Sequence, residues 1–533
     1  MKKYLFTIVI GLLFTLYSNS LKSQNIEVSG IQSGVWQADT VFVTDNVDVQ
    51  DVLQIEAGTT VLFNGYYSIN VKKGAAVRAI GTEDAPIVFT VVDTTGFYIF
   101  DSGRGGWNGI RMEKAGKSDF DHCIFRYGKA STDIQQRGGA FSIRNCEEVN
   151  INNSDLFCNF SREYGGAIYG ESSTIHMNNC NVDENKVYSG LDTIYFMYGG
   201  GMCFLKCDLE LTDMRFRRNY GAITIGGALS LDSCSVVLDR AEFRDNYGLN
   251  GAGLYIMRCN DKECRISNCL FDNNHARHFA GGVAFANASP EVDNITVTRN
   301  RADGVNCQGI FFYEYSAPKM SNCIVWGNKN EHSMSLPDST QMWLWTFDDY
   351  APELHNCLIQ GGLTLVTDGE KIRVNENMME DNPCFVDLEN GDLHLQPESP
   401  CINAGTNNIA QELLAGYDLD GVWRVCGNTI DLGPYEFTAA GLGETARNDN
   451  HIIIVGNPVS ISSYAEIECE SACSLFANLY SFEGKLLVSK NLGVVQEGHN
   501  RIEIGEMFQT LPCGSYLLVL KGSKQSFVAK IIK

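Results

Sequence analysis

One nine-residue phrase, repeated along the middle of the chain, limits what this sequence can fold into. It reads FDHCIFRYG from Phe120, INNSDLFCN from Ile151, MNNCNVDEN from Met177, LTDMRFRRN from Leu211 and LDRAEFRDN from Leu238. It continues as ISNCLFDNN from Ile266, VDNITVTRN from Val292, MSNCIVWGN from Met320 and LHNCLIQGG from Leu354, the starts lying 26 to 34 residues apart. The first position is always apolar. The fourth (Cys123, Cys180, Met214, Ala241, Cys269) and the sixth (Phe125, Val182, Phe216, Phe243, Phe271) are small or apolar, and the fifth and seventh are mostly polar or mixed. Apolar residues at alternate positions of a short run mark a strand with one buried face.

Two asparagine columns flank that strand. The third position holds Asn153, Asn179, Asn268, Asn294, Asn322 and Asn356; the ninth holds Asn159, Asn185, Asn219, Asn246, Asn274, Asn300 and Asn328. Asparagine tolerates the left-handed backbone of a sharp bend. Stacked amides also donate to one neighbour and accept from the other, where stacked aspartates would repel. A second strand opens on glycine pairs: Gly138-Gly139-Ala140-Phe141, Gly165-Gly166-Ala167-Ile168, Gly199-Gly200-Gly201-Met202 and Gly226-Gly227-Ala228-Leu229. Looser copies begin at Gly251, Gly281 and Gly309.

Two short strands and two corners in about 27 residues fit one turn of a parallel β-helix; the leucine-rich-repeat frame is absent, and propeller blades need longer repeats. The expected fold is all-β: a right-handed parallel β-helix, or solenoid, followed by a small C-terminal β-sandwich. At ~4.8 Å per turn, nine phrases make a rod of roughly 40 Å before its ends are added.

The GGA-I and F-x-x-N signatures, over about residues 137–330, resemble the repeats of the chlamydial polymorphic outer-membrane proteins. That resemblance implies a surface β-helix involved in adhesion. Upstream, residues 25–118 hold less regular strand signals and the phrases Ala79–Thr90 and Trp107-Asn108-Gly109-Ile110, which look like the opening coils of exported bacterial β-helices. They are read as N-terminal coils and cap, with 119–380 as the main repeats. Downstream, Asn382–Asp387, Ser399–Gly405, Asp418-Leu419-Asp420-Gly421 and Asp431–Phe437 are similar to the closing segment of choice-of-anchor proteins, so 381–437 is read as a C-terminal cap. Cys384 and Cys401 are placed to staple it.

Residues 438–450 are linker-like, and 451–533 resemble the type A sorting domain of the type IX secretion system in Bacteroidetes-like bacteria. The resemblance rests on Asn457-Pro458, Leu479–Lys485, Gly498-His499-Asn500, Leu511–Tyr516 and Lys530–Lys533. It implies passage across the outer membrane by that machinery, leaving the rod secreted or attached to the outer face. The N-terminus agrees: Lys2 and Lys3, an apolar run from Tyr4 to Tyr17, then Ser18, Ser20 and Ser23 form a signal peptide over 1–24. No later run reaches the ~20 apolar residues of a membrane span. With 41 Lys+Arg against 64 Asp+Glu, a formal charge of −23 argues against nucleic acid as a partner.

Chemistry has few footholds. On the outward face of the phrase strand, Arg215, Arg217 and Arg244 stand beside Asp183, Glu242 and Asp272. Such a cluster could neutralise a uronate and remove its α-proton, or hydrolyse a glycosidic bond; the plainer reading is a solvated face whose opposite charges pair between turns. Cys259, Cys264, Cys269, His275 and His278 look superficially like zinc ligands but fit no paired frame, and a Cys259–Cys264 loop disulfide is the better reading. Asp418 and Asp420 form a capping turn with calcium as the alternative, and no other cofactor is expected. Outward aromatics at Phe157, Tyr169, Tyr255, Phe311, Tyr313, Trp326 and Trp343–Trp345 could stack on sugar rings; Tyr169, Tyr255, Phe311, Tyr313 and Trp343–Trp345 could equally cover the rod's side or pack under loops. The sequence therefore points to a non-catalytic adhesin or glycan-binding rod facing extracellular glycans or another cell's surface. A polysaccharide lyase or glycoside hydrolase acting on an acidic glycan is the alternative.

Overall fold

Each turn of this chain closes because four of its residues hold positive φ. In one turn they are Asn153, Cys158, Gly165 and Ser172; in the next, Asn179, Glu184, Gly199 and Lys206. A left-handed L-residue costs roughly 1–2 kcal/mol. The corner amides offset that cost by bonding across turns: Asn153 N–H donates to Asn178 O, Cys158 N–H to Asp183 O and Ser172 N–H to Leu205 O. Glycine is required where the second strand begins. A Cβ on Gly199 would lie 2.0 Å from Met202 O, and one on Gly200 would lie 2.1 Å from Gly227 O in the next turn.

The structure is a computed structural model. It describes residues 25–99, 102–132, 136–188, 197–260, 262–304, 307–329, 340–347, 349–409, 416–425 and 429–438, and, beyond these, 452–455, 463–469, 472–481, 486–509, 511, 515–522 and 526–533. The leader expected over 1–24 and the linker from residue 439 onward lie outside the described residues.

Among the described residues, 33 strands from Ile26–Trp36 onward hydrogen-bond in parallel, turn upon turn, as a β-helix. They fall into three lanes. The phrase lane runs through Cys123–Arg126, Asp155–Phe157 and Asn181–Asp183. The leading lane runs through Ser118–Asp121, Val149–Asn152 and Thr174–Asn178. The glycine lane runs through Phe141–Arg144, Ile168–Glu171, Met202–Leu205, Leu229–Asp232 and Leu254–Met257. A discontinuous fourth lane of short strands lies just before the glycine pairs. The less regular N-terminal part stacks in the same lanes: Thr40–Val43 pairs with Thr60–Phe63, which pairs with Ile87–Val91 and so reaches Cys123–Arg126.

The interior repeats as the lanes do. Phe216, Phe243 and Phe271, all at the sixth position, stack with centroids 4.6 and 4.8 Å apart, which is the turn spacing itself. The fourth-position thiols Cys123, Cys180, Cys269, Cys323 and Cys357 are buried. Burial pushes the Cys180 thiol up to about 12, and its Sγ donates to Ile151 O at 3.3 Å. These cysteines fill the core as small hydrophobes.

The two asparagine columns, alike in sequence, do different work. The third position is the bend, with positive φ in every copy, including His122, Asp213 and Arg240 where asparagine is missing. The ninth is a buried ladder with ordinary φ. Asn246 Nδ2 donates to Phe216 O in the preceding turn (2.9 Å) and to Asn274 Oδ1 in the following one (2.9 Å). Its own Oδ1 accepts from both the N–H and Nδ2 of Asn219 (each 3.0 Å). Asn274 to Asn300 repeats the contact at 3.0 Å, Gly128 N–H opens the column on Asn159 Oδ1, and Gln341 Oε1 closes it against Asn328.

Residues 381–437 do not stack as an end cap. They fold back along the flank of the rod and cover the phrase lane. Phe385–Asp387 and Asp392–Leu395 form a small antiparallel hairpin. Phe385, Leu393, Leu395, Cys401, Leu432 and Tyr435 pack on Leu270, Ile324 and Leu358, which point outward from three different turns. The third-position asparagines hold this flap. Asn294 Nδ2 donates to Asp431 O (3.0 Å), Asn322 to Thr406 O (3.1 Å) and Asn356 to Ala404 O (2.9 Å).

The C-terminal unit is an antiparallel sandwich. Ile452–Val455, Tyr464–Cys469 and Gly498–Glu503 form one sheet; Leu486–Val495, Cys473–Ser481, Ser515–Lys521 and Ser526–Ile532 form the other. Ala465, Ile467 and Ile502 from the first meet Leu475, Leu479, Leu518 and Phe527 from the second. Among the described residues no helix is long and apolar enough to cross a membrane.

The ladder and the bend respond differently to mutation. Asn246→Ala strands the Asn219 N–H, one Asn219 amide hydrogen and the Phe216 carbonyl, at ~1–3 kcal/mol for each buried orphan. We expect a loss of about 3 kcal/mol or more, read as a lowered denaturation midpoint. Asn153→Gly, at a half-buried left-handed bend, should lose less than about 1 kcal/mol in the same measurement.

Candidate functional site

The charged cluster on the phrase lane is assembled as the sequence places it, but its charges are spent on one another. Glu242 accepts from Arg217 Nη2 (3.1 Å) and Arg244 Nε (3.0 Å), with Arg215 Nε at 3.6 Å. Asp272, 1% exposed, takes Arg244 Nη1 at 3.0 Å and Arg299 through Nε (2.7 Å) and Nη2 (2.6 Å). The flap then closes over it, with Gly391 O accepting from Arg244 and Glu389 O from Arg299. Asp183, raised by burial, is paired with Arg218. A carboxylate already bound by two guanidiniums is a poor base, and Asp272 is closed off from solvent.

Several other expected positions differ from the sequence reading. Trp326 is half-buried against the flap cluster, not free on the face. Phe157 is half-exposed, with the Arg126 guanidinium 6.0 Å from its ring centroid. Tyr169 and Tyr255 are outward-pointing yet only 2% and 8% exposed, and Phe311 is likewise buried. Neighbouring turns and the fourth lane cover them, which a single-strand pattern does not show. Cys259, Cys264, Cys384 and Cys401 are all free thiols, so neither expected disulfide is formed in this structure. Cys259 and Cys264 do lie within hydrogen-bond reach of each other. Cys384 Sγ, half-exposed, faces Asn382 O instead, while Cys401 is buried in the flap core. His275 pairs with Asp303 (2.7 Å), His278 stacks on Phe279, and among the described residues no group is arranged to hold a metal. Asp418 closes a turn, accepting from Asp420 N–H and Val422 N–H at Oδ1 and from Glu436 N–H at Oδ2. The buried Arg424, paired with Glu436 at 3.2 Å, supplies positive charge beside Asp418 and Asp431.

A groove runs along the glycine lane, clear of the described residues of the flap, its floor side chains buried and its walls part-exposed. Three stacked columns build it. The floor is the second position of each strand: Ser142, Tyr169, Cys203, Ser230, Tyr255, Ala284, Phe311, Trp343. One wall is the residue before the glycine corner: Arg137, Tyr164 and Tyr198 bridge in register, then Ile225, Asn250 and Phe279. The other wall is the left-handed corner after the strand, where Lys206, Ser233 and Arg258 follow one another.

Aromatic rings cluster in two stretches of this groove. Tyr164 stacks on Tyr169 at 6.0 Å and meets Tyr198 at 5.5 Å, with the Arg137 guanidinium 4.5 Å from the Tyr164 centroid. Further along, Phe279 packs on Phe311 (5.1 Å), Phe311 on Trp343 (5.0 Å) and Trp343 on Trp345 (5.4 Å); Trp345 is 52% exposed. Tyr164, Tyr198, Arg137, Lys206, Ser230 and Arg258 were not singled out from sequence. Their signal is columnar: it appears only when residues one full turn apart are aligned around the glycine pairs.

The family described as right handed beta helix region matches residues 104–292 and, again, 226–398, together more than half of the chain. No curated protein matches it.

The flap carries a titratable clasp at its edge. His394 Nε2 meets Asp420 Oδ2 at 2.5 Å and Nδ1 meets Asp392 Oδ1 at 2.6 Å. These hydrogen bonds, Asp420's first, raise its pKa to about 9 against the opposing effect of burial. A raised histidine contributes stability that is fully present below its unfolded value of about 6.5 and is lost as pH rises through about 9. Proteolytic nicking within 381–437 should therefore increase several-fold between pH 7 and pH 10. His394→Gln should show the faster rate already at pH 7.

Proposed function

Because the chain belongs to the right-handed β-helix family, we propose that it is a non-catalytic extracellular rod that holds glycan strands along its glycine-lane groove. The observation that carries this reading is the aromatic lining from Tyr164 to Trp345 on the face the flap leaves uncovered. Sugars are recognised by stacking apolar ring faces on aromatic side chains while their hydroxyls meet polar edges. The groove offers both along several turns, a format suited to a chain of sugars rather than to a compact metabolite. The opposite candidate face, with its carboxylates locked to arginines, supports binding without cleavage.

Export and attachment belong to the same proposal. The charged, apolar and small-residue succession of the first 24 residues supports secretion. The likeness of residues 451–533 to type A sorting domains supports delivery through the type IX machinery to the outer face of the outer membrane. The separate antiparallel sandwich found there suits a module that is read on its own.

A glycan array probed with the full chain tests the reading. We expect binding to a restricted set of polysaccharides with no release of unsaturated or reducing ends. Tyr198→Ala and Trp345→Ala should each weaken it about tenfold, the ~1.4 kcal/mol of one stacked ring, with unchanged thermal midpoints. Uniform silence across the array would leave a purely structural rod.

A further inference from the structure

The groove is not uniform. Its floor column reads Tyr169, Cys203, Ser230, Tyr255, so two small side chains lie between two tyrosines. Three turn spacings separate those tyrosines, about 14 Å along the rod. The missing bulk leaves a cavity of about 550 Å³ walled by Tyr164 and Tyr198 on one side and by Lys206 and Arg258 on the other. That volume lies within the range of sites for single small ligands.

Several of the polar groups facing this cavity are unsatisfied. Ser230, 1% exposed, has a hydroxyl with no hydrogen-bond partner. Buried polar groups in folded proteins are almost always paired, so an orphan hydroxyl on a cavity floor is itself a sign of a ligand group. The phenol hydroxyls of the half-buried Tyr164 and Tyr198 and the ammonium of Lys206 likewise make no side-chain hydrogen bond or ion pair among the described residues. The other charges are already matched: Arg258 Nε donates to Asp232 Oδ1 at 2.7 Å, and Arg137 Nε donates to Glu163 Oε2 at 3.0 Å. Among the described residues Asp232 is the only carboxylate lining the cavity, against three cations, in a chain whose formal charge is −23.

We infer that this cavity is a subsite for one anionic sugar ring, its carboxylate or sulfate meeting Lys206 and its ring lying between Tyr164 and Tyr198 over the Ser230 hydroxyl. The inference rests on the groove reading and adds the ligand's charge and its place on the rod. An anion here gains Lys206, the one wall cation without a counter-charge among the described residues, whereas a neutral ring gains only the stacking.

Isothermal titration of the full chain with three tetrasaccharides tests it: a tetragalacturonate, its carboxyl-reduced counterpart and a sulfated galactan. We expect either charged probe to bind at least fivefold more tightly than the neutral one, with the advantage shrinking as salt is added. Preference for the uronate over the sulfated probe, or the reverse, identifies which anion is taken. Lys206→Met should abolish the advantage of the charged probes over the neutral one, and Trp345→Ala should weaken all three probes together. Equal binding of charged and neutral probes, or an advantage that survives in Lys206→Met, overturns this subsite and leaves the groove standing. Silence with all three in the wild type overturns both.

Discussion

Everything lateral on this rod depends on successive turns staying in register, and the buried amide column at the ninth phrase position enforces it. Each asparagine there bonds the backbone of the turn before it and the side chain of the turn after it. A slip of one residue would break two of these bonds and bury their orphans. Hydrophobic contacts alone would not prevent such a slip, since many interior positions are interchangeable among phenylalanine, valine and leucine. The ladder converts a merely apolar interior into a specified one, as satisfied buried polar networks can. The phenylalanine stack at the sixth position, the thiols at the fourth and the groove columns outside all inherit their alignment from it.

The coil itself was legible in the sequence, because one chain position recurs in one environment at every turn. The third and ninth columns were legible as asparagine but not as different devices: both chemistries favour the same residue, and the backbone angle separates them, since third-position Asn268, Asn294 and Asn322 are buried as well. The flap was not legible. Its docking is set by contacts such as Arg244 with Gly391 and Asn294 with Gly433, 147 and 139 residues apart. Alternation along a strand tells which side chains point outward, not what later arrives to cover them. Leu270, Ile324 and Trp326 break the polar pattern of the outward face, and that was the trace the flap left in the repeats.

The flap also decides which face remains available. Two faces of the rod carry chemistry-bearing residues, and the chain folds back over one of them. On the covered face the arginines bond flap carbonyls as well as carboxylates, so charge there serves cohesion. On the glycine lane the cations stand at corners, and Lys206 has no counter-charge among the described residues. The same residue types thus have opposite consequences depending on whether a later segment supplies partners. This is why a search for acidic and basic clusters in sequence selected the paired set and passed over the open one.

The repeat lengths point to the same side. From Met177 to Leu211 and from Met320 to Leu354 the phrase spacing is 34 residues rather than 26 to 28. In the first of these the added length falls between Asn185 and Gly199, and in the second much of it falls between Asn328 and Gln341. The 31-residue repeat places its extra residues between Gly128 and Gly138. In each case the ladder position is already fixed and the glycine corner has not yet been reached. Added length there leaves the register of the three main lanes undisturbed, and in the 31-residue repeat and the first 34-residue repeat it lies in sequence just before Arg137 and Tyr198 of the wall. In stacked repeats, insertions confined to one interval mark the face on which variation is tolerated, often the binding face. The ladder keeps the turns in register while the chain length between it and the glycine corner varies, so length can change in that interval without changing how the rod is built.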